Sequence, residues 1–130
     1  MSRFLVWDEM NRKIFVVDDE QQIAILLSEV LRTADFDVET FFDARSALLR
    51  ATDGQPNILI TDVTMPDMDG ITLAVAIRGQ IPNCKIILIS GNPEWKINAN
   101  SQPNGMSNVA LLLKPFSITQ LMRLVKSEFE

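Results

Sequence analysis

With 130 residues, 47% of them hydrophobic and 22% charged, the chain is long enough to bury one core without staples, and its one cysteine excludes an intrachain disulfide. A net charge of −5 leaves no basic face to neutralise phosphates, which argues against direct nucleic-acid binding. Histidine is absent, which excludes Ser-His-Asp and Cys-His catalysis and any His-containing zinc site.

Short β-rich runs alternate with amphipathic helical stretches. Lys13 to Val17 is a continuous apolar run ending in Asp18-Asp19, and after it Ile23, Leu26, Leu27, Val30 and Leu31 keep one helical face. Val38 to Phe41 reads as the second strand. Ala44, Ala47, Leu48 and Ala51 recur at helical spacing until Gly54 and Pro56 stop them. Ile58 to Thr61 forms the third strand, with Ile71 to Arg78 as its helix, closed by Gly79 and Pro82. Lys85 to Ser90 is the fourth strand, and Cys84 before it reads as a small buried hydrophobe. From Gly91 to Asn108 the Asn, Pro and Gly content is that of turns, so the fourth helix is expected to be short, irregular or missing. Val109 to Leu113 is the fifth strand, and Ile118, Leu121, Met122, Val125 and Phe129 mark a last helix. Strands apolar on both faces belong to a covered, parallel, doubly wound sheet, which makes the fold class α/β. No apolar run approaches the ~18 residues of a membrane span, and Phe4-Leu5-Val6-Trp7 is too short for a signal-peptide core. No membrane contact and a cytoplasmic setting are therefore expected.

In an open parallel sheet, ligands bind beyond the carboxyl ends of the strands. Asp18 and Asp19 reach that edge from the first strand, Asp62 from the third, Ser90 from the fourth and Lys114 from the fifth. Three converging carboxylates repel unless a cation intervenes, and a hard ion such as Mg2+ suits all-oxygen ligands. Lys114 adds a point charge and Ser90 a hydroxyl, both suited to phosphoryl oxygens. The set reads as a phosphoryl-transfer site with Asp62 as the central carboxylate. Asp67 and Asp69, in Met65-Pro66-Asp67-Met68-Asp69-Gly70, read as turn residues, and Asp18 also suits the cap of the first helix.

Val17-Asp18-Asp19-Glu20, Asp62 with Met65 to Gly70, Ser90-Gly91 and Lys114-Pro115-Phe116, in this order and each at a strand end, resemble the receiver domain of two-component response regulators. The resemblance runs from Lys13 to about Phe129, so residues 1–12 read as an N-terminal extension and 13–130 as the receiver domain. It implies a flavodoxin-like sheet of five strands in the order 2-1-3-4-5, with helices on both faces. It further implies that Asp62 accepts a phosphoryl group from a partner histidine kinase or histidine phosphotransfer protein. Asp19, Asp62 and the backbone carbonyl of Thr64 would ligate Mg2+, with Asp18 acting through water. Lys114 would bridge to the phosphate, Ser90 would move to hydrogen-bond it, and the Lys114-Pro115 bond would be cis. Thr64 and Asn92 border the expected phosphate and are candidates for setting its lifetime.

Two positions depart from the family pattern. Leu111 stands where receivers usually carry a switching Tyr or Phe, and the turn-rich segment replaces the fourth helix. Output is expected through a downstream protein partner or a homodimer. The chain ends at Glu130, so it reads as a stand-alone receiver or as a piece cut from something longer. Two other readings stay open: a receiver-like adaptor that works without phosphorylation, and a Mg2+-dependent phosphohydrolase. The latter is disfavoured by Thr64, which stands where such enzymes resembling the haloacid dehalogenases carry a second Asp.

Overall fold

Ile14, Val16, Ile58, Ile60, Ile87 and Ile89 are buried on one face of a sheet whose other face buries Phe15, Val17, Leu59, Ile86 and Leu88. Successive side chains on a strand point to opposite faces, so an unbroken apolar run fills two cores at once. The computed structural model describes residues 12–92 and 108–127.

The strands are β1 (Lys13–Val17), β2 (Asp37–Phe41), β3 (Ile58–Asp62), β4 (Lys85–Ser90) and β5 (Val109–Leu113). All pair in parallel, in the order β2-β1-β3-β4-β5. Among the described residues the helices are α1 (Gln21–Thr33), α2 (Ala44–Gly54), α3 (Gly70–Gln80) and α4 (Ile118–Ser127). Leu27 and Leu31 of α1 with Leu121 and Val125 of α4 cover one face. Ala47 and Ala51 of α2 with Leu73 and Ile77 of α3 cover the other. This is the doubly wound α/β arrangement expected, with β1 and β3 side by side at the centre, so Asp18 and Asp62 leave the sheet next to each other.

Some details differ from the periodicity. Leu26 is exposed, because α1 turns Ala24, Leu27, Ser28 and Leu31 inward instead. Buried Ser28 is stabilised there by the Thr40 hydroxyl, which donates to its Oγ at 2.6 Å. Gly79 does not end α3, which runs on to Gln80; a Cβ at Gly79 would meet nothing within 4 Å. Cys84 is buried as expected, and burial pushes its thiol up to about 12. The turn-rich segment expected to lack a regular helix falls largely on residues 93–107, and Phe129 on the last three; both lie outside the described residues. No helix among the described residues is long and apolar enough to cross a membrane.

Candidate functional site

Asp18 is the residue after β1, Asp62 is the last of β3, Ser90 the last of β4, and Lys114 follows β5. Pairing places Val17 beside Thr61, Asp62 beside Ile89 and Ser90 beside Leu113, so these side chains leave the sheet along one edge. Counting in twos, Asp18 follows Ile14 and Val16, Asp62 follows Ile58 and Ile60, and Lys114 follows Ala110 and Leu112. These three therefore continue the face covered by α1 and α4.

The structure brings Asp18, Asp19 and Asp62 together: one carboxylate oxygen from each lies within 4.8 Å of the others. Asp18 and Asp62 are 1% and 5% exposed, whereas Asp19 faces solvent. Lys114 Nζ is 3.5 Å from Asp62 Oδ1. Burial raises the Asp18 carboxyl to about 6; the Glu20 N–H, which donates to Asp18 Oδ1 at 2.9 Å, offsets part of this, and the Asp62 charge adds to it. Asp62 is raised too, first by burial, against the pull of the Lys114 ammonium.

Asp18 does not cap α1. The cap position is Glu20, without a side-chain hydrogen bond, and Asp18 instead braces the turn through the Glu20 N–H. Its second oxygen, Oδ2, is buried without a hydrogen-bond partner among the described residues. A buried, unpartnered carboxylate oxygen beside two further carboxylates is costly unless protonated or met by a cation, so the donor set fits a hard, oxygen-seeking metal ion.

Ser90 is 3% exposed, and its Oγ accepts the Asn92 N–H at 3.0 Å while, among the described residues, it keeps only a 3.5 Å contact to the Asn92 carbonyl as donor. The Ser90 carbonyl accepts the Lys114 N–H at 2.9 Å, which ties the ends of β4 and β5 together. The Lys114–Pro115 bond is cis. Thr64 projects an exposed side chain from the loop after β3. Leu111, paired with Leu88, lies half-buried against the core on the α2 and α3 side, so it belongs to packing rather than to the carboxylate cluster.

Asp67 and Asp69 stay outside the cluster. Asp69 caps α3 by accepting the Thr72 N–H at 2.8 Å, and Asp67 turns the chain with φ 73°. Three contributors were not assigned roles from sequence. Buried Thr61 donates its hydroxyl to the Asp62 carbonyl at 3.0 Å. Gly70 passes so close beneath Asp62 that a Cβ would lie 2.1 Å from its carbonyl oxygen. Its place at the end of the Met65 to Gly70 phrase was a usable signal for this close approach. Arg45, on α2, pairs with Asp67 at 2.6 Å across a separation of 22 residues, a contact no local pattern announces.

Comparisons with known proteins agree with this fold. Residues 14–126 match the family model for the response regulator receiver domain. The alkaline phosphatase synthesis transcriptional regulatory protein PhoP of Bacillus subtilis is 32% identical over 118 residues, 91% of this chain and 48% of that protein. The chain thus spans about half the length of that relative. Chemotaxis protein CheY4 of Vibrio cholerae superposes with a TM-score of 0.78 at 29% identity, covering 88% of this chain and 96% of that one. Response regulator protein TrrA of Thermotoga maritima, solved in complex with Mg(2+)-BeF, does so with a TM-score of 0.78 at 27% identity, covering 90% and 98%. Fold, strand-end residues and family match converge, and the chain belongs to the response regulator receiver domain family.

Proposed function

We propose that this domain is a phosphoacceptor in a two-component phosphorelay, with Asp62 taking a phosphoryl group from a phosphohistidine on a histidine kinase or histidine phosphotransfer protein. The single observation that carries this is the buried Asp62 carboxylate, met by Lys114 at 3.5 Å and clustered with Asp18 and Asp19. Residues 13–130 form the receiver unit, 1–12 an extension, and the setting is cytoplasmic.

Asp19, Asp62 and the Thr64 carbonyl would hold Mg2+, with Asp18 acting through water. Bound there, the ion supplies positive charge to offset the anionic phosphoryl group among three carboxylates. Asp62 has to be ionised to act as nucleophile; burial opposes that state and Lys114 favours it. An Asp62 oxygen bonds to phosphorus as the P–N bond of the donor breaks, and the electron pair leaves with the imidazole. Lys114 then neutralises phosphoryl oxygen charge. Ser90 exchanges its long contact to the Asn92 carbonyl for a phosphoryl oxygen. Thr64 and Asn92, flanking this position, govern water access and so the lifetime of the acyl phosphate. The outcome is a regulatory state that decays by slow autodephosphorylation, not a turnover enzyme, and it is read by a protein partner or a second copy.

Incubation with acetyl phosphate and Mg2+ tests the reading. Intact mass should rise by one phosphoryl group, and Asp62→Ala should abolish the gain; a gain that persists in the variant would refute it. Leu111 favours a second reading, a receiver-like adaptor, because a leucine half-buried against the core offers no ring to swing between positions. A chain that takes no phosphoryl mass but still binds its partner would support that reading.

A further inference from the structure

The loop joining β3 to α3 carries the Thr64 carbonyl and is held at several points. At its base, the Gly70 N–H donates to the Val63 carbonyl at 2.9 Å. Met65 is buried and Met68 partly buried in the core beneath. Asp69 is committed to the cap of α3. The tip is different: Asp67 adopts a left-handed φ of 73°, and its side chain reaches outward to α2, where Arg45 Nε donates to its Oδ2 at 2.6 Å. Among the described residues this is the one ion pair that joins the loop to another element. Arg45 in turn holds the Asp67 carboxyl below its ordinary range.

A non-glycine residue in the left-handed region persists only where its surroundings favour it, although aspartate tolerates that region better than most. The core methionines fix the flanks of the loop but do not touch its tip by charge. We propose that Arg45 is a positioning residue for the metal site: its ion pair with Asp67 clamps the tip of the loop so that the Thr64 carbonyl points at the bound cation. This rests on the phosphoacceptor reading above. It gives α2, which supplies no group to the carboxylate cluster, a share in cation affinity.

The clamp acts on binding and not on the phosphoryl step. Without it the Thr64 carbonyl samples more orientations and the cation is held less well, but once the cation is bound Asp62 reacts as before. Both partners are exposed, so the effect is modest: about a two- to fivefold weaker Mg2+ affinity. It fades near 1 M salt, where the screening length falls to about 3 Å.

The test is Mg2+ titration followed by amide NMR on the full chain and on Arg45→Gln, Arg45→Lys, Asp67→Asn and the Arg45→Gln/Asp67→Asn double variant. Phosphorylation by acetyl phosphate is measured alongside, at limiting and saturating Mg2+. Arg45→Gln and Asp67→Asn should each weaken Mg2+ binding by the same factor, the double variant should add nothing, and Arg45→Lys should restore most of the affinity. All variants should match the unaltered chain in rate at saturating Mg2+. Equal Mg2+ affinities throughout, or a rate deficit that saturation does not repair, would overturn the clamp while leaving the phosphoacceptor reading intact. Failure of the unaltered chain to bind Mg2+ overturns both.

Discussion

Asp18 is the residue whose environment most changes its chemistry. It is 1% exposed, one of its oxygens has no hydrogen-bond partner among the described residues, and burial lifts its carboxyl to about 6. A carboxyl raised in the folded state binds its proton more tightly there than in the unfolded chain. Its contribution to metal-free stability is therefore fully present below about pH 4 and is lost as pH rises through about 6. Asp18→Asn keeps an oxygen for the Glu20 N–H and cannot ionise. Urea midpoints for the metal-free proteins at a series of pH values should diverge across this window, with the variant the more stable at pH 7. Parallel curves would show that the carboxyl is not desolvated. Asp19 adds its charge to the repulsion at Asp18 and Asp62. Asp19→Asn should weaken Mg2+ binding and leave the metal-free melting temperature unchanged or higher; a lower one would contradict this.

At the scale of elements, the approach of α3 to β3 sets the backbone of the acceptor. Gly70 opens α3 under the Asp62 carbonyl, where an added Cβ would lie 2.1 Å from the oxygen and 3.1 Å from Thr61 Oγ1. Neither can yield cheaply, since one is backbone and the other is hydrogen-bonded to it. Gly70→Ala should cost about 1–3 kcal/mol in chemical denaturation and also lower Mg2+ affinity, because the strand end that carries Asp62 must move. A fully stable variant with normal Mg2+ binding would mean that α3 can slide away. The two edge strands contrast in chemistry. On β2, Glu39 accepts Arg50 Nε at 2.8 Å and pairs with Lys13, so that edge is guarded by charge. The β5 residues Val109 to Leu113 carry no charge at all.

Across the whole molecule, one sheet divides two apolar layers, and its central strand β3 is buried from end to end. Ile60 is wholly buried between β1 and β4. Ile60→Ala removes about 2–5 kcal/mol, a large share of the roughly 5–15 kcal/mol that holds a domain of this size together. Its denaturation midpoint should fall accordingly, whether monitored at the α1 and α4 layer or the α2 and α3 layer. Separate transitions for the two layers would show that the sheet does not couple them.

The order of strands and helices, the strand ends and the residues that stand on them were legible because each depends on local pattern: apolar runs, helical spacing and turn-forming residues. Asp18, Asp62, Ser90 and Lys114 could be set at one edge by that logic alone, since parallel strands share their carboxyl ends. Leu26 was misplaced because two registers of α1 offer similar apolar stripes, and only the fit against β2, where Ser28 meets Thr40, selects between them. The tertiary structure decided three further things: the depth at which Asp18 is buried, the 3.5 Å approach of Lys114 to Asp62, and the reach of Arg45 to Asp67. Desolvation and ion pairing depend on groups far apart in the chain, and no spacing along it records how closely the fold will bring them.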